Sequence, residues 1–277
     1  MKIGRYGYYP GWVFQGAIDT VAIWNRALSS NEVVQVYATA ALETAADVQV
    51  SKQAVSRYSL LLHAEGTEGS TTVTDECGHA CAALNGAHIT ANDRYFGNAS
   101  LLLDGSDDYV EIPDSSDFEP GSQPFTIDFW MKPRDLSGHY IIGKSNPDSG
   151  LGYDIRLNAG CIDVCGVNGW GFNIISPSIV TTSRWQHVAV CGTTTNVLLF
   201  IDGVLSGSCG RQNIAPTPGR HLRLGYTANF GGTHYNGYLD EVRFLLGEAH
   251  WTSNFDPPTL PYALDRVDAG ELSVIHI

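Results

Sequence analysis

RLGYTANFGGTHYNGYLDEVRF, residues 223–244, decides how the chain is read. It runs as a short strand, a glycine-rich loop, and a second strand whose apolar residues alternate around Asp240. Alternation with period two marks a strand with one face buried and the other free. The same pattern spreads outward through YSLLLHA, ASLLLDG, DYVEI, FTIDFWM, YIIG, YDIRLN, CIDVCG, FNII, WQHVAVC, VLLFIDG, VLSG and HLRLG, each bounded by turn residues. Many short strands at such spacing predict an all-β protein, a two-sheet antiparallel sandwich. Thirty glycines, twelve prolines and thirteen tyrosines suit tight turns between strands better than a helical bundle.

The deciding stretch has a counterpart. KIGRYGYYPGWVFQGAIDTVAI, residues 2–23, lies over it without a gap, matching Gly4 with Gly225, Gly11 with Gly232, Gly16 with Gly237, Asp19 with Asp240 and Val21 with Val242. Residues 1–29 therefore read as the closing strands of a partial upstream repeat. Residues 30–56 read as a helical linker: Ser29 and Glu32 suit a capping box, and Val33, Val36, Tyr37 and Ala40 recur at helical spacing over 30–47. Residues 57–262 make the main domain, and 263–277 form an extension whose AGELSVIHI reads as an edge strand.

Charge removes some function classes. The net charge of −13 opposes nucleic acid and anionic membranes, since both are bound by Lys and Arg on phosphates. The longest wholly apolar run, Val197–Ile201, falls far short of the roughly 20 residues of a membrane span, and MKIGRYGYYPGWVF lacks the apolar core of an export signal. Six cysteines stand at 77, 81, 161, 165, 191 and 209. A turn at Gly78 would let Cys77 and Cys81 close a disulfide, whereas a strand holds Cys161 and Cys165 roughly 13 Å apart. The C-x3-C spacing does not favour zinc.

Several segments resemble, in order, the LamG-like jelly roll of the concanavalin A-like lectin/glucanase superfamily, in the variant common in phage and environmental sequences. They are LLLHAEGTEGSTTVTDECGHACAALNGA (60–87), RYFGNASLLLDGSDDYVEIPDSSDF (94–118), FTIDFWMKP, RWQHVAV, VLLFIDGVL, NGYLDEVRF and AHWTSNFDPP. GAIDTVAIWNRALSSNEV (16–33) is similar to the signature that closes such a domain. The resemblance implies a structural Ca2+ on the sandwich rim, with Glu65, Asp75 and Asp240 at matching carboxylate positions. Each also has a metal-free account: Asp75 opening an Asx-turn, Asp240 joining a strand-end network. Both accounts stay open at this point.

The superfamily includes glucanases, so hydrolysis must be weighed. Retaining glycosidases need two carboxylates about 5 to 5.5 Å apart, and no E-x-D-x-x-E string occurs. Asp107, Asp108 and Glu111 sit at a turn where acids are ordinary, and His187 has neither a serine elbow nor a helix-start cysteine beside it. No catalytic residue is expected. Sugar binding needs aromatic faces beside polar groups. Tyr140, Trp170, Tyr226, Phe230, His234 and Tyr235 are the loop candidates, with Trp130 and Trp185 assigned to the core.

The leading expectation is thus a non-catalytic extracellular binding or adhesion module for a glycan or cell surface, one unit of a multi-domain or repeating protein. Its rival is a structural subunit of a filament, fibre or virion surface, joined to neighbouring copies by strand complementation through residues 2–24 and 270–277.

Overall fold

FTIDFWMKP forms the central strand β6, Phe125–Pro133. Phe125, Ile127, Phe129 and Met131 enter the main core, while Asp128, Trp130 and Lys132 take the opposite face. The structure is a computed structural model that describes residues 58–146, 148–168, 173–227 and 233–263. The partial repeat, the linker helix over 30–47 and the 270–277 tail lie outside the described residues, and so does the strand exchange expected of them. No helix among the described residues is long and apolar enough to cross a membrane.

Two antiparallel sheets face each other. The first has eight strands: β13 (Val204–Gly210), β12 (Asn196–Ile201), β11 (Gln186–Gly192), β6, β15 (Asn236–Leu246), β4 (Ser100–Asp104) and β3 (His88–Thr90) in order, with β1 (Leu60–Leu62) also on β15. The second has seven, in the order β10 (Asn173–Ile175), β9 (Cys161–Asn168), β8 (Leu151–Asn158), β7 (His139–Asn146), β14 (Leu222–Leu224), β5 (Tyr109–Ile112) and β2 (Ala82–Leu84). The expected all-β sandwich is what forms. Its core joins Ile127, Phe129, Val188, Val190 and Phe244 of one sheet to Val110, Ile142, Ile155, Leu157 and Leu224 of the other.

The outer face of the eight-stranded sheet is covered by residues 248–263. Trp251 and Phe255 pack on Ala189, Cys191 and Phe200, and Tyr262 packs on Tyr58, Leu61 and Leu245. A buried charge network lies beneath. Asp128 receives Arg243 Nε at 2.8 Å and sits 3.2 Å from His187 Nε2, and the Arg243 guanidinium stands 3.8 Å from the Tyr262 ring centre. His187 has no exposure, so the structure gives it a packing role.

The two tryptophans assigned to the core fare differently. Trp130 is buried, but under Tyr95, stacked at 3.6 Å on the outer face. Trp185 is only half-buried, and its indole N–H donates to Asp93 Oδ1 at 2.8 Å.

Candidate functional site

The outer face of the seven-stranded sheet follows from the same alternation. Val110 and Ile112, Leu222 and Leu224, Ile155 and Leu157, and Ile162 and Val164 point into the core. Their neighbours must therefore point away. Strand register sets Glu111, Arg223, Gly143, Asp154, Cys165 and Asn173 in one row across the face. A second row holds Tyr140, Arg156 and Asp163.

Gly143 has a steric reason to be glycine. A Cβ there would come 2.3 Å from Asp154 Oδ1 and 2.6 Å from Thr227 Cγ2, so only glycine lets the segment after β14 lie so close. Tyr226 on that segment stacks on His234 at 4.4 Å with 8° between the planes. Tyr109 meets Tyr226 at 5.5 Å, and the Arg223 guanidinium stands 5.6 Å from both tyrosine rings. His234 bridges to Tyr140, whose ring has Arg156 at 5.7 Å. Three of the expected ligand residues, Tyr140, Tyr226 and His234, are thus brought onto one face.

A cleft of about 200 Å³ opens beside them, lined by Gly138, His139, Tyr140, Arg156, Leu157 and Asn158. Two buried nitrogens there have no partner, His139 Nδ1 and Arg156 Nε. The charges are mostly committed. Arg156 pairs with Asp163 and places Nη2 2.9 Å from Cys165 Sγ. Arg223 sets Nε and Nη2 each 2.8 Å from Glu111 Oε2, His221 reaches Glu111 Oε1 at 2.7 Å, and His139 reaches Asp135 Oδ1 at 2.5 Å. Burial pushes the Glu111 and Asp135 carboxyls up, but these partners outweigh it and hold both below the usual range. Burial holds the His234 imidazole below its usual range, which favours the neutral ring. The Cys165 thiol is pushed up to about 12 by burial and the Asp163 charge, so it is no nucleophile near neutral pH.

The family model described as the concanavalin A-like lectin/glucanases superfamily matches residues 104–247, just over half the chain. The chain belongs to this superfamily. Two solved structures are similar in fold. The binding domain of Paraclostridial Mosquitocidal Protein 1 aligns with a TM-score of 0.54 at 15% identity, covering 72% of this chain and 49% of that one. The receptor binding domain of botulinum neurotoxin C/D mosaic serotype aligns with a TM-score of 0.52 at 14% identity, covering 68% and 48%. The chain spans about half the length of each, and at such identity the likeness shows the fold alone. No curated protein matches the sequence.

Within this superfamily member, other expected site residues fall elsewhere. Tyr235 has no exposure and belongs to the core, because it sits at the entry to β15 where alternation points it inward. Trp170 and Phe230 lie outside the described residues. Tyr109, Arg156 and Arg223, which the loop-based search passed over, are strand residues. The signal was there in DYVEI, YDIRLN and HLRLG, where each alternates with core positions.

The carboxylates offered for Ca2+ are not gathered. Oxygens sharing one cation at about 2.4 Å must lie within about 4.8 Å of one another. Among the described residues only Asp104, Asp107 and Asp108 satisfy this, at an acidic turn. Asp75 gives its oxygens to the N–H groups of Leu61 (2.9 Å), Cys77 (3.1 Å) and His79 (3.0 Å), and to His79 Nδ1 (2.7 Å). That is the Asx-turn account. Glu65 accepts the Asn98 N–H, while Asp240 Oδ2 accepts those of Tyr95 and Phe96, so both pin the 93–98 loop. Asp240 Oδ1 is buried with no partner.

The expected disulfide is also absent, since Cys77 and Cys81 are not joined. Asp75 winds the intervening loop so that Cys77 packs with Tyr58 and Leu61 while Cys81 packs against the main core. Burial pushes the Cys81 thiol up to about 12.

Proposed function

We propose that the chain is a non-catalytic, extracellular or surface-displayed glycan-binding module that recognises sugar on the outer face of its seven-stranded sheet. The observation that carries this is the flat Tyr226–His234 stack, flanked by Tyr109, Arg223 and the Tyr140–Arg156 cleft. Pyranose rings present apolar C–H faces and a rim of hydroxyls, and such an array offers aromatic faces with fixed donors and acceptors beside them. Superfamily membership supports the reading, as does the likeness in fold to domains described as binding and receptor-binding. The non-catalytic part rests on committed acids: Glu111, Asp135 and Asp163 are held by Arg223, His139 and Arg156 rather than poised as an acid and a base.

The test is a glycan array probed with the full chain, followed by calorimetric titration of a bound oligosaccharide. Tyr226→Ala should weaken binding about tenfold, since stacking on one ring contributes on the order of 1 kcal/mol, while the far-ultraviolet circular dichroism spectrum of the fold is retained. Equal affinity in wild type and variant would remove this face as the site.

A further inference from the structure

We infer that the chain carries a second carbohydrate subsite, on the outer face of the eight-stranded sheet. There Tyr95 and Trp185 offer ring faces to a pyranose, and the Asp93–Lys132 pair meets its hydroxyls. This subsite uses other strands and another loop than the Tyr226–His234 face, and it does not rest on that reading.

The cover formed by residues 248–263 stops short of one row of outward side chains. Strand register sets Lys132, Tyr238, Leu102 and His88 side by side in that row. Gln186 pairs with Met131, so Trp185 comes beside Lys132 at the end of it. All five are half-buried, while their strand neighbours Met131, Leu239, Leu101 and Ile89 fill the core. Tyr95 reaches this face from the 93–98 loop. It lies flat on Trp130, 3.6 Å away with 16° between the planes, so one ring face is spent on that stack and the other is turned outward, leaving Tyr95 39% exposed. Trp185 stands 6.2 Å from Tyr95 at 54°, and Tyr238 stands 6.2 Å from Trp185 at 47°.

These groups are fixed before any ligand arrives. The Trp185 indole N–H donates to Asp93 Oδ1 at 2.8 Å, and Lys132 Nζ donates to Asp93 Oδ2 at 2.7 Å. The Asp93 carbonyl accepts the buried Ser100 hydroxyl at 2.6 Å. Asp240 holds the N–H groups of Tyr95 and Phe96, and Glu65 holds that of Asn98. A site so held gives up little conformational freedom on binding.

The chemistry beside the rings selects a sugar. The Asp93 and Lys132 side chains stay 26% and 25% exposed, and a carboxylate and an ammonium have more acceptor and donor positions than their mutual contact uses. Two neighbouring hydroxyls fit them, one donating to Asp93 and one accepting from Lys132, while the C–H face of the same pyranose lies on a ring. A quaternary ammonium, the other ligand that aromatic clusters hold, is disfavoured because the carboxylate it would use, Asp93, is already paired with Lys132.

The experiment probes one printed glycan array with the full chain and with Trp185→Ala, Trp185→Phe and Tyr226→Ala. At least one glycan should keep its affinity within about twofold in Tyr226→Ala and lose about tenfold in Trp185→Ala, with Trp185→Phe, which keeps a ring, recovering part of the loss. Glycans that depend on Tyr226 should bind Trp185→Ala as they bind the wild type, which shows that the variant is folded. Titrating the selected glycan into the wild type should shift the Trp185 indole N–H in a 15N–1H spectrum, the signal being assigned by its absence in Trp185→Phe. If Trp185→Ala does not fold, that spectrum decides, and an indole signal that no array-selected glycan moves overturns the subsite. Glycan binding that is indifferent to Trp185→Ala and lost in Tyr226→Ala overturns this inference and leaves the other face standing. Binding lost in Trp185→Ala and indifferent to Tyr226→Ala does the reverse. Absence of any glycan binding overturns both.

Discussion

Asp240 shows how a single carboxylate can set the pH dependence of this sandwich. Burial, with Glu241 and Glu65 nearby, pushes its pKa up to about 7, against the opposing pull of the Tyr95 and Phe96 N–H groups. A group whose folded pKa lies above its unfolded value of about 4 takes up a proton in the folded state first. The stability it contributes is therefore full below about pH 4 and is lost, by up to a few kcal/mol, as pH rises from there through 7. In buffer containing EDTA, the melting temperature should be higher at pH 6 than at pH 8, and Asp240→Asn should remove most of that difference. His63, raised by its 2.6 Å contact with Glu241, contributes in the same sense and accounts for the remainder. An unchanged difference in the variant would show that Asp240 is not the titrating group. Asp240 stood out in the sequence because Asp19 repeats it, yet the sequence does not show what its oxygens touch. That depends on a loop 145 residues earlier in the chain.

Among the elements, the segment over residues 248–263 was the least legible. AHWTSNFDPP carries no period-two or helical signal, so nothing local says that Trp251 and Phe255 cover a sheet. The β12–β13 turn, by contrast, is written in Asp202–Gly203, whose φ values of 50° and 75° fit the paired left-handed residues of a tight hairpin. Gly203 also touches the covering segment. A Cβ there would fall 1.9 Å from Phe255 O, whereas one on Gly219, at a similar φ of 76°, would meet nothing within 4 Å. Gly219→Ala should thus cost only the backbone strain, about 1 kcal/mol, and Gly203→Ala at least about 2 kcal/mol more, because the segment must move. Urea denaturation of both variants separates strain from collision. Equal losses would mean that the segment does not rest on this turn.

At the scale of the whole molecule, the sandwich was legible because its strands alternate so regularly. Which outward faces are wet and which are covered was not, since that is decided by pieces distant in sequence. Residues 56–265 form one compact unit. All fifteen strands of the described residues lie inside it, and the outer face of the eight-stranded sheet is covered by its own Trp251, Phe255 and Tyr262. A unit with its core enclosed and its apolar outer face covered from within should unfold cooperatively by itself. The fragment 56–265 should therefore melt in a single transition within about 2 °C of the corresponding transition in the full chain, a shift no larger than about 1 kcal/mol produces at this size. Light scattering on both distinguishes the rival arrangement. A monomeric fragment beside an assembled full chain would place strand complementation in the deleted residues, whereas two monomers with one melting temperature would remove it.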